Sequence, residues 1–232
     1  MTSIYFIRHG QASFSSDNYD QLSDLGFEQA RHLGLSLASR VSPLKVFAGT
    51  MLRHKQTADS ALESLADLDC SAINYDSVWN EFDHQNVIAG LDQSWAKPSE
   101  FRKFIIASDN PERVFIETFD KAVRRWVNGQ YDDDYNESWT DFKTRVLTAF
   151  EHLVDSTEPN SDVVVFTSGG VISCIAQQLL DIADENLLSM NRNLVNCGIT
   201  KIKLTRFGNQ LATLNDHSHF DNNDYRHMIT YK

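Results

Sequence analysis

The stretch Ile4-Tyr5-Phe6-Ile7-Arg8-His9-Gly10-Gln11 decides how this chain is read. Its first four residues are β-branched or aromatic and of strand length, so they predict a short buried strand. Gly10 stands where the chain must turn, and it is expected to supply an unusual backbone angle there. Arg8 and His9 are therefore predicted at the C-terminal edge of a strand, a guanidinium suited to bidentate phosphate contact beside an imidazole. An imidazole that attacks phosphorus has to be neutral, with one nitrogen held as a donor so that the other presents a lone pair. Alone, Arg-His-Gly is a weak signal, because an isolated histidine is more often a structural or surface residue than a catalyst.

Working outward, strand signals recur at Leu44 to Ala48, Ala72 to Tyr75, Val163 to Thr167, Gly198 to Leu204 and Gln210 to Leu214. Helical spacing separates most of them: Leu25, Ala30, Leu33, Leu37 and Ala38 in one segment, then Met51, Ala58, Leu62 and Leu65 after a Thr50 N-cap. Strands alternating with helices predict an α/β fold with a largely parallel central sheet and helices on both faces. Sites in such sheets gather beyond the strand C-termini, where His9, the segment before Arg53 and Ser168 all fall. Residues 87–156 differ. They carry no strand pattern, and Phe101, Phe104, Ile105, Val114, Phe115, Phe119, Val123, Trp126, Phe142, Val146, Leu147, Phe150 and Leu153 fit amphipathic helices. The expectation is one α/β domain over residues 1–232 with a helical cap insertion at about 87–156. Most of the cap's aromatics are expected to be packing. Asp132-Asp133-Asp134 lacks the glycine and terminal glutamate of a calcium loop and reads as an exposed connection.

A chain of 232 residues is long enough for one sizeable core. Its formal charge of −11 and pI of about 5.1 argue against nucleic acid or anionic membranes as partners. Converging arginines can still hold a small phosphorylated substrate in an acidic protein, because the field inside a pocket is set by neighbours. Cys70, Cys174 and Cys197 are odd in number and lie in no zinc-binding spacing, so free buried thiols are expected, with no metal and no other cofactor. No signal-peptide pattern and no long apolar stretch is present, which predicts a soluble cytoplasmic protein. Oligomeric state is left open.

Three further segments join the first: Leu22-Ser23-Asp24-Leu25-Gly26-Phe27-Glu28-Gln29-Ala30, Gly49-Thr50-Met51-Leu52-Arg53-His54-Lys55-Gln56-Thr57-Ala58, and Val163-Val164-Val165-Phe166-Thr167-Ser168-Gly169-Gly170-Val171-Ile172. With Asn80-Glu81 they resemble, in order and over most of the chain, the histidine phosphatase superfamily, also called phosphoglycerate-mutase-like. The resemblance implies that His9 is the phosphorylated nucleophile, that Arg8 and Arg53 clamp phosphate, and that Glu81 is the proton donor to the leaving oxygen. It also implies a substrate-covering cap after the acid. The sequence departs from the pattern where a second histidine usually precedes the glycines of the last motif, since Ser168 stands there. Ala12 replaces a common threonine, and Gln11 occupies a position of glutamate or glutamine.

Ser168 and the Gly169 amide can still donate to phosphate oxygens, but without imidazolium charge. Losing one such donor costs about 3 kcal/mol of transition-state stabilisation. Glu81 needs a raised pKa to act as an acid, and Trp79, Phe82 and Asp83 are the neighbours that would raise it. Asp83 is also its rival for that role. His84 is the auxiliary candidate to replace the missing charge, and His219 is read as structural first and as support for the site second. His32, His54, His152 and His227 have no context that lifts them above surface residues. The expected activity is a metal-independent, histidine acid phosphatase-like phosphomonoesterase acting on a small phosphorylated substrate through phosphohistidine at His9. The alternatives are a phosphoglycerate-mutase-type phosphotransferase and a phosphate-binding pseudoenzyme.

Overall fold

A computed structural model describes residues 2–13, 20–41, 43–64 and 73–231. The expected strand start at Ala72, the helical Leu65 and the thiol of Cys70 lie outside these residues. The chain runs β1 (Ser3–Arg8), α1 (Asp24–Ala38), β2 (Pro43–Ala48), α2 (Leu52–Leu62) and β3 (Ile73–Tyr75). It continues through α3 (His84–Leu91), α4 (Pro98–Ile106), α5 (Pro111–Val127) and α6 (Trp139–Asp155). Then follow β4 (Asp162–Thr167), α7 (Gly169–Leu180), α8 (Leu187–Arg192), β5 (Ile199–Thr205) and β6 (Gly208–Asp216). Two units result: Met1–Glu81 with Val146–Ile182 and Ser189–Lys232, and Phe82–Arg145 with Ala183–Leu188.

The first unit holds a six-stranded sheet in the order β3-β2-β4-β1-β5-β6. Its first four strands are parallel, and β5 and β6 run antiparallel at one side. The apolar run of β1 is buried along its whole length, as a central strand covered on both faces requires. Side chains alternate between those faces. Tyr5 and Ile7, with Val46, Ala48, Val164 and Phe166, pack on Ala30, Leu33 and Leu37 of α1 and on Ala58, Ala61 and Leu62 of α2. Phe6 points the other way, its ring 5.7 Å from Trp79 and 6.1 Å from Phe150 of α6. The sheet is thus mixed and mostly parallel, with helices on both faces.

Register decides where the site lies. Phe166 of β4 pairs with Ile7 of β1 and with Ala48 of β2, so these parallel strands end at the same level. His9 and Ser168 follow at once, and Gly49 leads into α2, its N–H donating to the Phe166 carbonyl at 3.0 Å. Ser23 caps α1 by accepting the Gly26 N–H at 3.0 Å. Helix α2 starts at Leu52, and its N-cap residue Met51 offers no side-chain bond, so Thr50 is not the cap. Asp20 takes that role: its Oδ2 accepts the Leu52 N–H at 2.8 Å.

The second unit is helical. Phe82 lies 4.7 Å from Trp126 and meets Phe142 edge-on at 5.8 Å, while Trp126 meets Trp139 at 5.2 Å. The indole N–H of Trp139 donates to Asp184 at 2.7 Å, and Lys143 pairs with the same carboxylate at 2.8 Å. Proline opens both α4 and α5, where its missing N–H costs nothing. Asp132–Asp134 forms a single 3-10 turn with Arg125 on Asp134. Among the described residues no helix is long and apolar enough to cross a membrane.

Candidate active site

His9 leaves β1 with its backbone N–H donating to the Thr167 carbonyl at 2.9 Å, and its own carbonyl accepts from Asn196 Nδ2 at 3.0 Å. Its Nδ1 lies 2.7 Å from the Gly10 carbonyl. A carbonyl can only accept, so Nδ1 carries the ring proton and Nε2 presents a lone pair. Burial is the main force holding the ring neutral, followed by the positive charge of Arg53, then Arg8, then His54, and together they keep its pKa well below 6.5.

Gly10 serves a different purpose from the expected one. It is not among the glycines with positive φ, which are Gly129 and Gly208. It is needed because a Cβ there would stand 2.6 Å from the Gly26 carbonyl oxygen, so the nucleophile loop lies directly against the start of α1. Thr57 joins this loop to α2: its Oγ1 accepts the Gly10 N–H at 3.0 Å and donates to the Arg53 carbonyl at 2.6 Å. The Gln11 N–H donates to Gln29 Oε1 at 2.8 Å, and the Gln11 side chain accepts from the Ser23 hydroxyl at 2.9 Å. Gln29 Nε2 donates in turn to the Met228 carbonyl at 2.7 Å and to Thr230 Oγ1 at 2.8 Å, whose hydroxyl reaches Asn196 at 2.9 Å. The C-terminal segment therefore braces the loop that carries His9.

Both arginines are buried. Arg8 donates through Nη1 to the Leu194 carbonyl and through both terminal nitrogens to the Tyr231 carbonyl at 3.4 Å. Its Nε lies 3.7 Å from where a Cβ on Gly169 would stand, which brings that edge of the guanidinium to the start of α7. Arg53 Nη1 donates to Asp20 Oδ1 at 2.9 Å, while its Nε is buried with no hydrogen-bond partner among the described residues. A buried donor without an acceptor is costly, and an arriving oxyanion would remove that cost. Asn80 ties the strand ends together, accepting the Thr50 N–H at 2.7 Å and donating to the Thr50 hydroxyl at 2.8 Å.

Ser168 precedes α7 in extended conformation, is fully buried, and makes no side-chain bond to the amides it caps. Glu81 reaches the same helix end, its Oε2 accepting the Gly170 N–H at 3.0 Å. His9, Arg8, Arg53, Ser168, Gly169 and Glu81 all belong to the first unit. Asp83 and His84 belong to the second. Asp83 Oδ1 caps α3 by accepting from Gln85 and Asn86 at 3.0 Å each, and His84 meets the Phe82 ring edge-on at 6.2 Å. His219 lies against Phe220, its ring 4.1 Å away, and its carbonyl accepts from His32 Nε2 at 2.7 Å. Its pKa is pushed down to about 4, chiefly by burial.

His54 corrects the reading of it as a surface residue. It is fully buried, its ring centroid lies 5.7 Å from that of His9, and its Nε2 stands 2.6 Å from Ser168 Oγ. Its position beside Arg53 in the first turn of α2 was the available signal, since a residue there faces the strand ends. Gln29, Thr57 and Asn196 were also missed, because their bonds run to loops distant in sequence. Cys174 and Cys197 are buried, and burial pushes the Cys197 thiol pKa up. No group of three or more His, Cys, Asp or Glu among the described residues is placed to hold a metal.

The family model for the histidine phosphatase superfamily (branch 1) matches residues 4–128 and 110–217. The fold is also that of several solved structures. A phosphoserine phosphatase mutant from Entamoeba histolytica, in complex with phosphoserine, superposes with a TM-score of 0.66 at 16% identity, covering 94% of this chain and 99% of that one. A mycobacterial glucosyl-3-phosphoglycerate phosphatase, in complex with inorganic phosphate, gives 0.62 at 22% identity over 94% of this chain and 98% of that one. A phosphoglycerate mutase from Bacillus anthracis gives 0.62 at 16% identity over 94% of each chain. No curated protein matches the sequence.

Proposed function

Because the chain belongs to the histidine phosphatase superfamily, we propose that it hydrolyses a small phosphomonoester through a phosphohistidine at His9. The observation that carries this is the His9 ring, with Nδ1 bound to the Gly10 carbonyl at 2.7 Å and its pKa held well below 6.5. Such a ring offers an Nε2 lone pair at any pH near neutrality.

In the first half-reaction Nε2 attacks phosphorus, the P–O bond to the organic group breaks, and Glu81 gives its proton to the leaving oxygen. In the second, Glu81 takes a proton from water as the water oxygen attacks phosphorus. The P–N bond then breaks, which returns neutral His9 and inorganic phosphate. Charge on the equatorial oxygens is met by Arg53, by Arg8 beside Gly169 and by the first amides of α7. The buried Nε of Arg53, without a hydrogen-bond partner among the described residues, supports its part in this. Asp83, spent on capping α3, is less available as the acid than Glu81.

No metal is required by this scheme, since guanidinium and amide donors meet the charge that a divalent cation meets elsewhere. Phosphatases and a mutase both occur among the structural relatives, and hydrolysis is favoured because the scheme completes with water alone. The helical insertion expected at about 87–156 is proposed to select among organic groups. The buried thiol of Cys197 is in keeping with a cytoplasmic setting. Turnover of p-nitrophenyl phosphate in the presence of EDTA tests the proposal. Release of nitrophenol that continues undiminished is expected, and activity that stops with chelator and returns with Mg²⁺ or Mn²⁺ would refute it.

A further inference from the structure

A fully buried histidine with a single hydrogen bond needs a reason. The ring of His54 is closed in by Gly49: a Cβ at that position would overlap His54 Nδ1. Nδ1 itself is buried with no hydrogen-bond partner among the described residues, and Nε2 bonds to Ser168 Oγ at 2.6 Å. An apolar side chain would fill this space without leaving a polar atom unsatisfied. Purely structural packing therefore does not account for an imidazole here.

The two ring nitrogens also settle which one carries the proton. An orphaned buried N–H is rarer than an under-satisfied acceptor, so the proton belongs on Nε2, where Ser168 Oγ can accept it. The serine hydroxyl proton must then point elsewhere. It is not engaged as a cap, because Ser168 makes no side-chain bond to α7. It stands at the helix end where Arg8 Nε approaches Gly169 and where the Gly170 amide holds Glu81, beside the ring of His54, whose centroid lies 5.7 Å from that of His9. Charge develops on the phosphoryl oxygens at that place, and a polarised hydroxyl there is a donor.

We propose that His54 is a positioning residue for the reaction: its Nε2–H donates to Ser168 Oγ and so directs the serine hydroxyl proton onto a phosphoryl oxygen at His9. The pair then does with two side chains what one imidazole at position 168 would do. This rests on the phosphohistidine reading.

The test compares the wild type with His54→Ala, Ser168→Ala, the double variant, His54→Gln and His54→Phe on p-nitrophenyl phosphate, with circular dichroism to show that each is folded. His54→Ala is expected to lower kcat by about 10- to 100-fold and to change KM by less than about threefold, as loss of a transition-state donor does. The double variant should be within about twofold of Ser168→Ala, since both changes break one relay. His54→Gln keeps an N–H and should recover most of kcat, whereas His54→Phe fills the space and should not. Wild-type kcat in His54→Phe, or single losses that multiply in the double variant, overturns the proposal while leaving the phosphatase standing. If the wild type turns nothing over, the phosphatase reading fails, and orthovanadate, which adopts the five-coordinate geometry at the same nitrogen, decides for His54 by calorimetry. An affinity about tenfold weaker in His54→Ala supports the relay, and equal affinities overturn it.

Discussion

His54 Nε2 and Ser168 Oγ lie 2.6 Å apart inside the sheet's C-terminal edge, one on the first turn of α2 and the other at the start of α7. The contact follows from register: β2 and β4 end level at Ala48 and Phe166, and the two helices leave from adjacent strands. It gives the serine at position 168 a chemical partner.

That contact makes Ser168→His a harmful change. Position 168 is fully buried and His54 already fills the space beside it, so a second imidazole must displace the first. A kcat below wild type is expected, with partial recovery on adding His54→Ala. A rise in kcat for the single variant would show that the site merely lacks an imidazole.

Arg53→Ala should cut kcat/KM by about 100-fold or more, and Arg53→Lys should regain only part, because a lysine cannot reproduce a planar guanidinium edge. Steady-state kinetics at saturating and limiting substrate check this. Full activity in the lysine variant would reduce Arg53 to a point charge.

Much of this site can be read from the sequence. The run Ile4 to Ile7 is apolar without interruption because β1 is central, and the Val163 to Thr167 run is so for the same reason. Those two signals place His9 and Ser168 at one edge. What the sequence hides is what tertiary contacts decide. His54 follows an arginine among polar residues, and its burial comes from the approach of Gly49, 5 residues earlier in the sequence. The helix cap moves from Thr50 to Asp20 because the loop before α1 comes back to Leu52. Gly10 is legible as a required glycine, but the reason is a neighbour 16 positions away, Gly26.

Gly10→Ala should therefore act through packing. Its methyl would meet the Gly26 carbonyl, and overpacking of this kind costs about 1–3 kcal/mol. A urea midpoint below wild type, together with weaker activity, is expected. An unchanged midpoint would mean that the loop and α1 are not held in contact.

Acid should weaken the fold below pH 6.5. His9 and His54 have pKa values held well below that of the unfolded chain, and His219 is pushed down to about 4. As pH falls through 6.5 the unfolded chain binds these protons first, so stability that is complete above that value is lost on the way down. His219→Phe keeps a ring against Phe220 and removes one such group. It should shrink the loss between pH 6.5 and 4 by up to about 1.4 kcal/mol per pH unit, read from urea midpoints at several pH values. An equal loss in both proteins would mean that His219 titrates normally.

Turnover through His9 requires that phosphorus becomes bonded to its Nε2. Mixing wild type with p-nitrophenyl phosphate, quenching within the first turnovers under alkaline conditions that preserve phosphohistidine, and measuring the mass of the intact chain and its peptides tests this most directly. One added phosphoryl group is expected on the peptide containing His9, lost on acid treatment, and none in His9→Ala, which should be folded and inactive. A turning-over wild type that never carries that phosphoryl group, or a His9→Ala protein that still turns over, would contradict it.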